Sequence, residues 1–339
     1  MTLGIGLVGY GYWGPNLARN INATDGMRLA AVCDTNPSTL ARALRLYPGA
    51  VGYSDLFEMI KDPAVDAVVV ASPVRTHAAI ALAAMEAGRH VLVEKPMATT
   101  SSEAMAMIET AARRGLTLMV DHTFVYNGAV GKISDLLGRG ELGRLLYYDS
   151  VRINLGLFQS DVDVLWDLAV HDLSILDYLH PELPEEISCI AHGHFDNGQA
   201  NMAYLTLLYG DGMIAHTHVN WLSPVKIRQT VLGGDRRMVV YNDMAADEKV
   251  KLYDCGVSFT SGAELSPARK VDYRSGDITI PVLDRTEALA VVVRQFRDAI
   301  LTGAPVLTDG QSGLRVVQIL EAAQRSMMDR CRAVPIFPG

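Results

Sequence analysis

Leu3-Gly4-Ile5-Gly6-Leu7-Val8, followed at once by Gly9-Tyr10-Gly11-Tyr12-Trp13-Gly14, decides how this chain folds. The first six residues are an apolar run of strand length. The next six have the form G-x-G-x-x-G, and from Asn16 to Asn22 the pattern becomes helical. A glycine triplet alone says little, and an ordinary glycine-rich turn is its plain alternative. Between a strand and a helix it has the context of a dinucleotide-binding turn. Gly9 then permits the tight turn, Gly11 lets backbone approach a pyrophosphate, and Gly14 lets the helix pack on the strand. The helix N-terminus faces the phosphates.

The following segments repeat the alternation. Arg28 to Cys33 reads as a strand ending at Asp34, 20 residues beyond Gly14. An acidic residue at that distance takes the adenosine ribose hydroxyls and repels a 2′-phosphate, which favours NAD over NADP. The alternative for Asp34 is a helix N-cap before Pro37-Ser38. Thr39 to Leu46 and Ser54 to Ile60 read as helices, with Ser54 as the cap of the second. Ala67 to Ala71 is a buried strand that runs into Ser72-Pro73-Val74-Arg75-Thr76-His77. Ile80 to Ala87 is a helix stopped by Gly88, Ser101 to Arg114 another closed by Gly115, and Thr117 to Val120 a further strand. Val91-Leu92-Val93 is a short buried strand that delivers Glu94 and Lys95 to the carboxyl edge of the sheet, where ligands of open α/β sheets bind. Lys95-Pro96 is expected to be cis. The fold class is α/β: a doubly wound parallel sheet over residues 1–121.

Beyond residue 121 the pattern changes. Val130 to Leu137 is helical, and Leu145 to Asn154 is a long strand on which Arg152 and Asn154 share a face. Asp161 to Leu179 contains Trp166-Asp167-Leu168-Ala169-Val170-His171-Asp172. On a helix Asp167 and His171, four residues apart, share one face, where a carboxylate can orient an imidazole for acid/base work. A capping aspartate and a packed histidine are the alternative. Strands at Ile187–His194, Ala200–Tyr209, Met213–Trp221, Lys226–Gly233 and Arg237–Tyr241 follow without intervening helices. Residues 122–339 therefore read as an α+β domain with a large, mostly antiparallel open sheet, whose broad face is covered most simply by homo-dimer or homo-tetramer formation. Asp243 to Asp277 reads as irregular hairpin and loop. Ala288 to Leu301 is a helix, and Thr308 is the expected cap of a final helix, 313–328, packing back on the fold.

Composition sets the outer limits. The 339 residues are 49% hydrophobic and 20% charged, with a net charge of −8 and no basic run. Nucleic acid and membrane are therefore not expected partners. Cys33, Cys189, Cys255 and Cys331 are scattered and read as reduced thiols of a cytoplasmic protein. No signal segment is visible and no apolar run is long enough to span a bilayer. His192, His194, His216 and His218 alternate along strands, but no third ligand accompanies them, so no metal is expected.

With these residues in hand, the chain resembles the glucose–fructose oxidoreductase / inositol dehydrogenase (Gfo/Idh/MocA) family over nearly its whole length. The resemblance rests on Gly9-x-Gly11-x-x-Gly14, Asp34, Glu94-Lys95-Pro96, and Asp167 with His171. Within the family the chain looks most like the UDP-N-acetylglucosamine 3-dehydrogenase branch. The matching stretches are Gly11-Tyr12-Trp13-Gly14, His122 to Asn127, Asn154-Leu155-Gly156, Asp161 to Asp172 and Asn220 to Arg228. It departs from that branch at Ala169-Val170-His171, where a proline is expected before the histidine, and at Asn127-Gly128, where asparagine-proline is expected.

The resemblance implies hydride transfer between a sugar carbinol and nicotinamide. It implies His171 as base, oriented by Asp167, with Lys95 stabilising the alkoxide and sharing the proton; which of Lys95 and His171 is the base stays open. Tyr12 and Trp13 would offer backbone amides to the pyrophosphate, and Ser72, Pro73 and His77 would line the nicotinamide side. Tyr126, Asn127, Arg152 and Asn154 are the substrate-side candidates. A free sugar, an inositol or a sugar acid is the alternative substrate, and a non-catalytic dinucleotide-binding protein the alternative class.

Overall fold

The structure, a computed structural model, describes residues 2–156, 158, 162–195, 198–260 and 270–337. It divides into two compact units, residues 1–127 with 286–321, and residues 128–285 with 322–339. Expected as a single cut after residue 121, the division instead uses two segments for each unit.

The first unit is built on β1 (Leu3–Val8), α1 (Gly14–Ala23), β2 (Met27–Cys33), α2 (Pro37–Leu46), β3 (Val51–Tyr53), α3 (Leu56–Met59), β4 (Ala67–Val70), α4 (His77–Glu86), β5 (His90–Glu94), α5 (Ser101–Arg114) and β6 (Leu118–Asp121). The six strands lie in the order β3-β2-β1-β4-β5-β6, and every pairing is parallel. β1, β4 and β6 are buried at every position. That is what a strand covered on both faces requires, and it explains their unbroken apolar runs.

Local chemistry sets the helix ends. Asn36 caps α2 by accepting the Ser38 and Thr39 N–H groups at 3.0 and 3.3 Å. Thr100 caps α5, and Glu103 reaches back to the Thr99 N–H at 3.0 Å. Gly115 ends α5 in the left-handed conformation, as expected. Two expected caps move by one residue. Asp55, not Ser54, caps α3 through the Phe57 N–H at 2.8 Å. Asp309, not Thr308, accepts the Ser312 N–H at 2.9 Å. The carboxylate is the stronger acceptor, and Thr308 is occupied elsewhere.

The second unit contains α6 (Gly128–Gly138), β7 (Leu145–Leu155), α7 (Val170–Leu179), β8 (Glu186–His192), β9 (Met202–Leu208), β10 (Ile214–Asn220), β11 (Leu222–Gly234), β12 (Met238–Asn242), β13 (Val250–Thr260) and β14 (Lys270–Thr279). Its sheet, with β15 (Val334–Pro335), has the order β14-β13-β12-β11-β7-β10-β9-β8-β15. Only β7 and β10 pair in parallel among the described residues. The hairpin expected between Asp243 and Asp277 is the antiparallel β13–β14 pair, whose strands are longer than an irregular stretch would allow. Asp161, the first residue of the stretch that holds Asp167 and His171, lies outside the described residues. Leu165–Ala169 is a π-helical turn that leads into α7.

The chain then forms α8 (Ala288–Thr302) and α9 (Gly310–Met328). Within the first unit, α8 contacts α1 and the Thr123–Tyr126 turn. Here the Thr308 hydroxyl donates to Val120 O at 2.6 Å and lies 2.8 Å from the Tyr126 hydroxyl. The Tyr126 hydroxyl in turn donates to Gln295 Oε1 at 2.7 Å. Replacing Thr308 with the isosteric valine leaves the buried Val120 carbonyl without its side-chain donor. We expect Thr308→Val to lower stability by about 1–3 kcal/mol, read as a shifted urea midpoint at constant slope. An unchanged midpoint would remove this hydroxyl from the stabilising set.

Candidate active site

The glycine loop of the first unit has the shape its sequence demands. Gly9 adopts φ +90°, and a Cβ there would lie 2.5 Å from Ala71 O. A Cβ on Gly14 would lie 2.5 Å from Gly9 O, so the helix start can press on the turn only as glycine. Around Gly11 a Cβ would meet nothing within 4 Å. That open side is where a phosphate can approach backbone N–H groups. Tyr12 is 81% exposed and Trp13 is also exposed, their rings edge to face at 5.9 Å.

Asp34 follows β2. Its Oδ2 accepts the Tyr10 N–H and its Oδ1 the Asn36 N–H, each at 2.8 Å. The carboxylate is thus fixed by two amides and keeps lone pairs for further donors. It does not cap α2; Asn36 does.

The strand ends on the other side of β1 carry the remaining candidates. The Ser72 hydroxyl lies 2.7 Å from the Thr76 hydroxyl, and Pro73 precedes a short 3₁₀ turn, Val74–Thr76. His77 is buried, with Nδ1 2.8 Å from Pro96 O and Nε2 2.9 Å from Ser72 O. It ties two strand-end loops together. The Lys95–Pro96 peptide is cis. Glu94 is held through the Lys95 N–H, which donates to Oε2 at 3.2 Å.

Glu94 stands directly opposite Asp121, a residue that sequence reasoning passed over. Its only signal was a carboxylate closing an apolar strand; the register that pairs it with Glu94 is a product of the fold. Burial and Asp121 push the Glu94 carboxyl well above the usual range, and burial pushes Asp121 up to about 6. The neighbouring His122 is pushed down to about 3 by burial and by Lys95.

In the second unit Asp163 starts the π-helical turn. Its Oδ1 accepts the N–H groups of Leu165 and Trp166 at 3.0 and 3.2 Å. Asp167 lies in that turn, and its Oδ2 accepts the indole N–H of the buried Trp221 at 3.2 Å. Gly156 N–H donates to Trp221 O at 3.1 Å, and a Cβ on Gly156 would lie 2.7 Å from Asn154 Nδ2. Asn154, Gly156, Trp221 and Asp167 therefore form one packed group. His171 lies in the first turn of α7, and its carbonyl accepts the Ser174 hydroxyl at 2.8 Å.

Two expected substrate contacts are committed to other partners. Arg152 is buried and pairs with Asp172 through Nε at 2.8 Å and a second nitrogen at 3.0 Å. Asp172 also takes the Tyr148 hydroxyl on its carbonyl at 3.0 Å. Arg152 thus secures the start of α7 beside His171. Tyr126 is buried among Gln295 and Thr308, while Asn127 ends its turn in extended backbone.

A model described as the oxidoreductase family with an NAD-binding Rossmann fold matches residues 3–122, and one of the GFO/IDH/MocA C-terminal domain matches residues 130–241. Inositol 2-dehydrogenase 2 from Saccharopolyspora erythraea is 36% identical over 196 residues, a match spanning 57% of this chain and 57% of that protein. UDP-N-acetylglucosamine 3-dehydrogenase from Acidithiobacillus ferrooxidans is 28% identical over 260 residues, 75% of this chain and 76% of that protein. A crystal structure from Magnetospirillum magnetotacticum MS-1, of a protein classed as an oxidoreductase, superposes with a TM-score of 0.80 at 30% identity, covering 95% of this chain and 99% of that one. Loop, strand order and matches together define an oxidoreductase fold with an NAD-binding Rossmann domain. The chain belongs to the Gfo/Idh/MocA family.

NAD fits the loop on the observations just described: open space over Gly11, the Gly9–Gly14 contact, and a carboxylate fixed at Asp34. We expect Asp34→Ala to weaken NAD binding and to cut the preference for NAD over NADP at least tenfold, about 1.4 kcal/mol, in dissociation constants measured for both. An unchanged ratio would leave Asp34 as a brace for the loop alone.

Proposed function

We propose that this protein is an NAD-dependent dehydrogenase that moves a hydride between a sugar carbinol carbon and C4 of the nicotinamide, with C3 of a nucleotide-linked amino sugar such as UDP-N-acetylglucosamine as the reacting carbon. The observation that carries the reading is the held carboxylate of the second unit: Asp167, fixed by the Trp221 indole, one turn before His171. Bound NAD supplies the hydride acceptor; the chain supplies proton handling and placement. His171 takes the hydroxyl proton as the hydride leaves, with Asp167 setting its orientation. Lys95, at the end of β5, stabilises negative charge on the sugar oxygen and shares the proton. A positioned base contributes about a hundred- to ten-thousand-fold, and a fixed cation acts as oxyanion donors do. Asn127 and Asn154 are assigned to the substrate side, with Arg152 supporting His171 through Asp172.

A second reading, oxidation of an inositol or free sugar, is favoured by the 36% identity to an inositol 2-dehydrogenase. Incubation with UDP-N-acetylglucosamine and NAD separates the two, followed by NADH absorbance and by product mass. A 3-keto product two hydrogens lighter than the substrate supports the first reading. No product from it, with turnover of an inositol or free sugar, supports the second. We expect Lys95→Ala and His171→Ala to lose turnover by about a hundredfold or more while keeping NAD affinity. Full turnover in both variants would remove the assigned roles.

The outer row of the second unit's sheet adds a proposed assembly surface. Ile190, Tyr204, Leu208 and Ile214 are exposed on neighbouring strands, with Ile190 opposite Tyr204 and Leu208 opposite Ile214. We assign this face to contact with a second copy of the chain, in a homo-dimer or homo-tetramer. Among the described residues, no helix is long and apolar enough to cross a membrane. Tyr204→Glu is expected to lower the mass measured by light scattering to that of a smaller assembly. An unchanged mass would place any assembly contact elsewhere.

A further inference from the structure

Glu94 and Asp121 are register partners at the carboxyl ends of adjacent parallel strands, 8% and 1% exposed. Side chains of register partners in a sheet project to the same face. Among the described residues neither carboxyl takes part in an ion pair. Asp121 accepts the Thr123 hydroxyl on Oδ1 at 2.7 Å, while its Oδ2 is buried with no donor among the described residues. Glu94 accepts the Lys95 N–H on Oε2. Two buried carboxylates side by side repel one another, which favours a proton on one of them, and that proton gives the other the donor it lacks.

Among the described residues, the histidine next to Asp121 does not supply a second positive charge. His122 is buried, and its lowered pKa keeps it neutral. On α4, His77 is held between the Ser72 and Pro96 carbonyls. On α5, Glu103 is bonded to Thr99. Asp309, which bridges to Met119, is taken up by the Ser312 N–H. Lys95 is the cation that both carboxyls sense.

The bound cofactor changes this balance. Asp34, just after β2, and the loop after β1 would hold one half of a dinucleotide. The strand order places β4 and β5 on the opposite side of β1, at about 4.8 Å per strand. The nicotinamide half therefore reaches toward the ends of β4 and β5. Its ring is positive when oxidised and neutral when reduced.

We propose that Glu94 and Asp121 share one proton, release it when the positively charged nicotinamide of NAD+ binds, and regain one when the ring is reduced. The pair then goes from one negative charge to two as the ring's positive charge arrives, and back as that charge is cancelled. Alcohol oxidation yields one proton per hydride, and the pair takes up one proton at the same stage. The net charge at these strand ends stays level through the turnover. Asp121 acts as a positioning residue for the charge on Glu94, and touches no reacting atom.

The inference rests on the NAD-binding assignment and is independent of which sugar is oxidised. Calorimetric titration of NAD+ and of NADH into the full-length protein at pH 7, in buffers of different ionisation enthalpy, counts the protons released. The expected result is release of up to one proton with NAD+, none with NADH, and none with either in Asp121→Asn or Glu94→Gln. The same count in wild type and variants, or none in wild type while NAD+ binds, overturns it. Should both variants fail to fold, the infrared difference spectrum of wild type on adding NAD+ decides: loss of a protonated-carboxyl band supports the pair, and an unchanged band overturns it. Failure of NAD+ to bind in any buffer overturns the cofactor assignment itself, an outcome that silent proton counts with normal binding cannot imitate.

Discussion

A parallel strand covered on both faces has nowhere to carry a polar side chain except at its ends. In the first unit this constraint sorts the residues. β1, β4 and β6 are buried throughout, and charge appears where β2, β5 and β6 stop: Asp34, Glu94 with Lys95, and Asp121. The backbone at those ends must still be satisfied. Gly9 N–H goes to Cys33 O, Asp34 N–H to Tyr53 O, and Ala71 N–H to Val8 O, each across to a neighbouring strand. The strand ends are therefore a rigid rim, and the side chains on them are placed to within a strand spacing before any ligand arrives. Catalytic and binding groups held in this way need little reorganisation.

The second unit solves the same problem with a different device. Its sheet is not buried on both faces, so it cannot use strand ends alone. A π-helical turn begun by Asp163 widens the chain just before α7 and carries Asp167 to the Trp221 indole. Such turns break the regular helical ladder and are found often at functional sites. The indole N–H is a single donor on a buried, stiff ring, so it fixes a carboxylate oxygen without bringing a second charge.

Much of the first unit could be read from residues alone, because its signals are local. The glycine triplet, the apolar runs, Gly115 ending α5 and the cis peptide before Pro96 each depend on a few neighbouring residues. Asp167 and His171 stood out by a spacing of four residues, but that spacing does not show that Asp167 falls in a π-helical turn and His171 in the helix after it. What stayed hidden depends on pairing. Asp121 becomes interesting only once β6 lies beside β5 in a register that sets it against Glu94. Trp221 acquires its role from Asp167, 54 residues away. Arg152 looked like a ligand for substrate because a strand pattern shows which face a side chain is on, and not what packs against it. The β13–β14 hairpin was legible only as an unspecified hairpin, because the polar residues of β14 give no apolar alternation from which its length and register could be read. The return of α8 to the first unit was equally invisible, since compactness is not a property of linear order.

The Arg152–Asp172 pair shows how stability and placement separate. Both side chains are 4% exposed, and the contact is bidentate. Desolvating two charges consumes most of what their attraction returns, so apolar groups of similar size would hold this core as well or better. An apolar contact, however, has no direction. The guanidinium fork fixes the carboxylate of Asp172 in plane and distance, and the Tyr148 hydroxyl fixes the carbonyl of the same residue. Two directional bonds to Asp172 set the rotation and height of the first turn of α7, and His171 lies in that turn, immediately before Asp172. The buried charges are thus better understood as the means by which the start of α7 is given a direction than as a source of stability.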